Sequence, residues 1–164
     1  MTWLDVTSVA LVVVAGWAEG KRGFCPAAAD LCLVLLALTL AKVVAGAASG
    51  MFGSATVAFL VLFVVGVAIA VVASTLFDSY TKWDIGAFDR AIGGAVGVVS
   101  GLVLAHAAYH AMALHGAAGQ AVVSGSLLAP EIYQLRTLNA IGDMLNHLGG
   151  GPRIPDQVRQ QQEK

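Results

Sequence analysis

Charge is the scarcest commodity in this chain. Nine Lys and Arg with ten Asp and Glu make up 12% of its 164 residues, against roughly 25% in an average soluble domain. With 58% hydrophobic residues beside them, a water-soluble fold would lack the polar surface to cover itself. Basic blocks are missing too, and the net charge is -1, so nothing gives an electrostatic reason for nucleic-acid binding. Cysteine is limited to Cys25 and Cys32. Seven residues apart on one helix, they are separated by about 10.5 Å along the axis, too far for a disulfide, and read as small packing residues.

Catalytic patterns are equally thin. No Glu-Xaa-Xaa-His and no phosphate-cradling glycine loop with a following Lys is present, and Ser124 and Ser126 have no acid close by in sequence. These absences leave no constellation for an enzyme or a bound cofactor.

What the chain does have is long apolar runs. A spanning helix needs about 20 mostly apolar residues. Residues 56–77 supply 22 without one charge, enough for roughly 33 Å. Residues 92–114 supply 23, polar only at Ser100, His106, Tyr109 and His110. A third run, 24–48, is interrupted by Asp30 and Lys42, and the first has 13 residues between Asp5 and Glu19, flanked by Trp3 and Trp17 as interfacial anchors. Together they predict an all-α, polytopic membrane protein, a four-transmembrane-helix bundle over 1–128.

Basic residues set orientation. Lys21 and Arg22 follow the first run rather than precede it, which argues against a cleaved signal peptide. Lys82 and Arg90 fall in the third connection and none in the second, 45–55. By the positive-inside rule the first and third connections face the cytoplasm and both termini face outward. Arg136, Arg153, Arg159 and Lys164 lie on the outward tail, where the rule weakens with distance.

Beyond the fourth run, residues 116–126 read as a Gly, Ala and Ser connector. Pro130 then opens a segment with Ile132, Leu135, Leu138, Ile141, Leu145 and Leu148 at three- and four-residue intervals, ended by Gly149, Gly150, Gly151 and Pro152. This predicts a C-terminal amphipathic helix over 129–149, lying on lipid or folded onto the bundle. Residues 150–164 read as a polar flexible tail.

Gly93, Gly97 and Gly101 recur every fourth residue behind Asp89 and Arg90. That spacing puts the three on one helix face, where missing side chains admit a second helix backbone. The partner helix belongs either to the same chain or to another subunit.

Trp3-Leu4-Asp5, Arg22-Gly23-Phe24, Asp89-Arg90 with the three glycines, and Leu127-Leu128-Ala129-Pro130 occur in this order. In this the chain resembles the colicin V production protein (CvpA-like) family over most of its length. The resemblance implies a small multi-pass protein of the bacterial inner membrane, required for colicin V production or export and linked to envelope homeostasis. Similar four-span modules also occur fused to a periplasmic serine protease domain. Where many relatives carry an acidic residue three positions after the Phe of Arg-Gly-Phe, this chain has Ala27, with Asp30 one turn later; where relatives often carry a basic residue before the last ladder glycine, it has Ser100.

Polar residues within apolar runs are the remaining candidates, since a charge near a helix centre costs at least ~2.5 kcal/mol. Treated as a hairpin turning at 20–23, the first two helices bring Asp5 and Lys42 to a common depth. His106 and His110, one turn apart, reach a comparable level. The four could line an outward-facing polar pocket for protons or a small solute. Alternatively Lys42 snorkels, Asp5 is interfacial, and the histidines bond neighbouring helices. As metal ligands the two histidines would have only Asp5 as a third, short of a closed site, so no metal is expected.

Two functions follow. The chain acts as an interaction or scaffolding module for envelope or export membrane proteins, with lipid as its surroundings and a homo-oligomer as one possible form. Otherwise it is a small oligomeric transporter or channel for protons or a small solute, although it shows no inverted repeat or broken helix.

Overall fold

The computed structural model describes residues 1–80, 87–136 and 139. Among these residues six helices follow in order: α1 (Trp3–Arg22), α2 (Phe24–Phe52), α3 (Ala55–Tyr80), α4 (Ala87–Leu114), α5 (Gly116–Ser124) and α6 (Ala129–Ile132). No strand occurs among the described residues. Four helices, Trp3–Arg22, Phe24–Phe52, Ala55–Phe77 and Phe88–Leu114, are long and apolar enough to cross a membrane. The chain is an all-α polytopic bundle, as its long apolar runs predict.

The first two breaks have local causes. Gly23 separates α1 from α2 at φ +95°, a conformation that side chains resist, and Gly53 ends α2 in the left-handed region at φ +77°. Ser54 Oγ then accepts the N–H of Val57 at 3.2 Å, one of the donors orphaned at the start of α3.

The bundle is built from two tight pairs, α1 against α4 and α2 against α3, with α2 also packing on α4. Between α2 and α3, Val34, Ala37, Leu38, Ala41, Phe59 and Phe63 are buried, and small residues bring the backbones together. At Gly66 an added Cβ would sit 2.7 Å from the Cβ of Ala37. Outward faces carry Val13, Val14, Trp17, Leu36, Val43, Val64, Ile69 and Val72, which suits a bundle surrounded by lipid rather than water.

Two stretches depart from the sequence reading. Residues 116–124, expected as connector, form α5, folded back on α4 after Gly116 at φ +77°. Gly119 makes this possible, because a Cβ there would overlap the carbonyl oxygen of Met112. The amphipathic helix expected over 129–149 starts on register at Ala129 but ends at Ile132, and Leu135 adopts φ +53°. Of the remainder of that expected helix only residues 133–136 and 139 are among the described residues, and of these Arg136 and Asn139 are helical. The tail 150–164 lies outside them, as does Lys82 of the third connection.

Candidate functional site

The glycine ladder is engaged within the chain. α4 runs antiparallel to α1, and added Cβ atoms would meet α1 backbone in order along the seam. The nearest atoms would be Gly23 C at 2.6 Å for Gly93, Ala15 O at 2.5 Å for Gly97 and Val12 Cα at 2.5 Å for Gly101. Gly16, Gly20 and Gly94 thin the same seam from both sides. Ser100 is buried and returns its hydroxyl to Val96 O at 3.2 Å.

A carboxylate closes each end of this seam. At one end Asp89, buried at the start of α4, accepts the Phe24 N–H at 3.2 Å, and its Oδ2 occupies the place where a Gly23 side chain would be. Gly23 is therefore required twice, by its φ and by this approach. Arg-Gly-Phe and Asp-Arg, 65 residues apart, thus meet. Arg90 itself is exposed and makes no hydrogen bond or ion pair among the described residues. Arg90 does not bond Asp30, which is held by Arg22 instead.

At the other end Asp5 is fully buried. Its Oδ2 accepts the Thr2 N–H at 2.6 Å, and its Oδ1 accepts the Leu128 N–H at 3.1 Å and the Tyr109 hydroxyl at 3.2 Å. Ser126 donates its hydroxyl to the same Oδ1. Having spent its one proton there, Ser126 Oγ can only accept from Tyr109, 2.6 Å away, so the single Tyr109 proton is shared between Ser126 Oγ and Asp5 Oδ1. It also accepts the Ala129 N–H at 3.2 Å, opening α6. Trp3-Leu4-Asp5 is thus tied to Leu127-Leu128-Ala129-Pro130. Trp3 itself is exposed, as an interfacial anchor would be, and Leu4 is buried.

The four-residue polar cluster read from the sequence is divided. Lys42 does not pair with Asp5. Its Nζ lies 2.8 Å from His106 Nε2, and His106 Nδ1 lies 2.9 Å from Ile132 O. Because Lys42 can only donate, Nε2 accepts and the ring proton sits on Nδ1, donated to Ile132 O. His110 turns to Phe59, edge to face at 5.0 Å, with Tyr133 6.4 Å away. The cause of the division is azimuthal: residue counting puts Asp5 and Lys42 at a common depth, but α1 packs chiefly on α4 rather than on α2.

A polar group missed by the sequence reading lies at the Gly23 end. Arg22 Nη1 bonds Glu19 Oε1 at 3.1 Å and also Asp30, while Nη2 donates to Ser74 Oγ at 2.9 Å. Asp30 thus finds its cation in Arg22, at the end of the preceding helix. Glu19 and Arg22 on one helix turn were the available signal.

Chemically, the site offers fixed carboxylates that hold backbone N–H groups, one Lys–His chain, and an ion-paired group joining α1, α2 and α3. Among the described residues no three His, Cys, Asp or Glu side chains converge as metal ligands. A cavity of about 290 Å³ opens beside Ser126, lined by Gln120, Ser124, Pro130, Tyr133 and Gln134. Comparison with family models, with curated proteins and with solved structures gives no match for this chain.

Proposed function

We propose that this chain is an interaction or scaffolding module of a bacterial inner membrane, of the kind implied by its resemblance to the colicin V production family. The observation that carries this reading is the pairwise meeting of the four motif elements. Trp3-Leu4-Asp5 joins Leu127-Leu128-Ala129-Pro130 through Asp5, and Arg22-Gly23-Phe24 joins Asp89-Arg90 through Asp89. All four lie along one seam closed by the glycine ladder. Motif residues spent on internal bracing build a rigid body, and its apolar outer faces on α2 and α3 are left for lipid and for other membrane proteins. Lys21 and Arg22 put the first connection on the cytoplasmic side in this reading, with both termini outside.

A second reading, passage of protons or a small solute through an oligomer, draws on the Lys42–His106 chain within the spans. Two measurements separate the readings. Crosslinked native mass of the purified protein with its co-purifying partners should reveal a stoichiometric membrane partner. Liposomes containing only this protein should show no proton or solute flux above that of empty vesicles. Flux without a partner would favour the second reading.

A further inference from the structure

At the Gly23 end of the bundle two carboxyl groups share one cation. Arg22 Nη1 lies 3.1 Å and 3.4 Å from the two oxygens of Glu19 and bonds Asp30 Oδ2 as well. Two carboxyl groups on one nitrogen are held side by side. Asp30 is only 5% exposed, and its other oxygen, Oδ1, is buried without a hydrogen-bond donor.

The surroundings do not offset this. α1 contributes Glu19 and Arg22, α2 contributes Asp30, and α3 contributes the neutral Ser74 hydroxyl. α4 adds Asp89, another acid, whose Oδ1 is taken by Phe24 N–H. Lys21 is turned away, its ammonium 3.7 Å from the centroid of the Trp17 ring, and Arg90 is exposed. Among the described residues a single guanidinium therefore stands against two adjoining carboxyl groups. Side-by-side carboxylates resist double ionisation, and a buried oxygen without a donor carries its full desolvation cost. One proton relieves both.

We propose that Glu19 and Asp30 form a proton-binding site. Glu19 carries the proton and donates it to Asp30 Oδ1, Arg22 is the counter-ion of the resulting single negative charge, and Ser74 orients the guanidinium. This site is independent of the interaction reading above, because a protein that only scaffolds could hold the proton permanently, and one that conducts could exchange it.

Infrared spectroscopy of the folded protein in lipid tests the site. At about pH 7, where carboxyl groups with ordinary values near 4 are ionised, the spectrum should retain one protonated-acid carbonyl band that shifts on deuteration. Glu19→Gln, which mimics the protonated acid, should abolish the band while the protein stays folded, and Asp30→Asn should abolish or displace it. Ser74→Ala should leave it in place. Should neither carboxyl variant fold, carboxyl-labelled ¹³C-glutamate in the unaltered chain replaces them, and the band should move with the label. No acid band at neutral pH would overturn the proposal. A band that survives Glu19→Gln and Asp30→Asn in folded protein, or one that ignores the glutamate label, would overturn it equally.

Discussion

Asp89 Oδ1 accepts the backbone N–H of Phe24 at 3.2 Å, so the first residue of α2 is held by the first turn of α4. The bond fits only because Gly23 carries no side chain where Asp89 Oδ2 lies. Gly23→Ala should therefore be far more damaging than Gly53→Ala. Both positions have positive φ, which costs a side chain roughly 1–3 kcal/mol, but nothing lies within 4 Å of a Cβ at Gly53. Thermal unfolding in detergent should show the larger loss at Gly23, and equal losses would remove Asp89 from the account.

The ladder should respond to size at the seam and not beside it. Gly97→Ala places a Cβ 2.5 Å from Ala15 O and 2.7 Å from Glu19 Cβ, an overpacking worth about 1–3 kcal/mol. Val99→Leu, on an exposed part of α4, should be neutral within about 0.5 kcal/mol. The comparison is read from melting temperature and folded yield.

Much of this was legible in the sequence. Long apolar runs locate all four spans, two of them despite charges within or close beside them, because a bilayer leaves few other ways to satisfy the backbone of such segments. Four-residue glycine spacing marks the packing face of α4 but carries no information on which helix fills it. Depth along a helix was countable, and it placed Asp5 level with Lys42. Direction around the bundle was not, and that is what gives Asp5 to Tyr109 and Ser126, and Lys42 to His106. α5 was illegible for a related reason: its Gly and Ala residues look like a linker until α4 supplies a surface for Gly119 to approach.

Asp5 and Lys42 should behave as independent sites. Asp5→Ala removes the charged acceptor of the Thr2 and Leu128 N–H groups and of the Ser126 hydroxyl; with bonds to a charged group worth about 1.5–3 kcal/mol, a loss of roughly 3 kcal/mol is expected. Lys42→Met should cost less, its ammonium being at an exposed position. In a double-mutant cycle the two effects should add within about 0.5 kcal/mol. A coupling well above that value would restore the direct pair that the structure separates.

Arg22 and Arg90 should differ in the same way. Arg22→Gln leaves Asp30 buried without its cation and should destabilise by about 2–3 kcal/mol, below the upper range for buried pairs because 27% of the Arg22 side chain is exposed. Arg90→Gln should be close to neutral in the same melting assay. Reversal of the order would assign Asp30 to the wrong arginine.

The orientation proposed from the basic residues has its own test. A reporter active only outside the cytoplasm should work when fused after Lys164 and fail when fused at Tyr80. The opposite pair of outcomes would invert the bundle in the membrane.

The central claim is that the glycine seam lies between α1 and α4 of one chain. A Cβ added at Gly20 would sit 3.4 Å from Gly94 Cα, and one at Gly94 would sit 3.7 Å from Gly20 Cα, close enough for a disulfide, whose Cβ atoms stand about 3.5–4.5 Å apart. With Cys25→Ser and Cys32→Ser removing the native thiols, Gly20→Cys and Gly94→Cys should oxidise rapidly in membranes to a monomer of altered gel mobility. Gly46→Cys with Gly94→Cys should not, since nothing lies within 4 Å of Gly46. A crosslinked dimer in place of the intramolecular product would put the ladder between subunits and contradict the account.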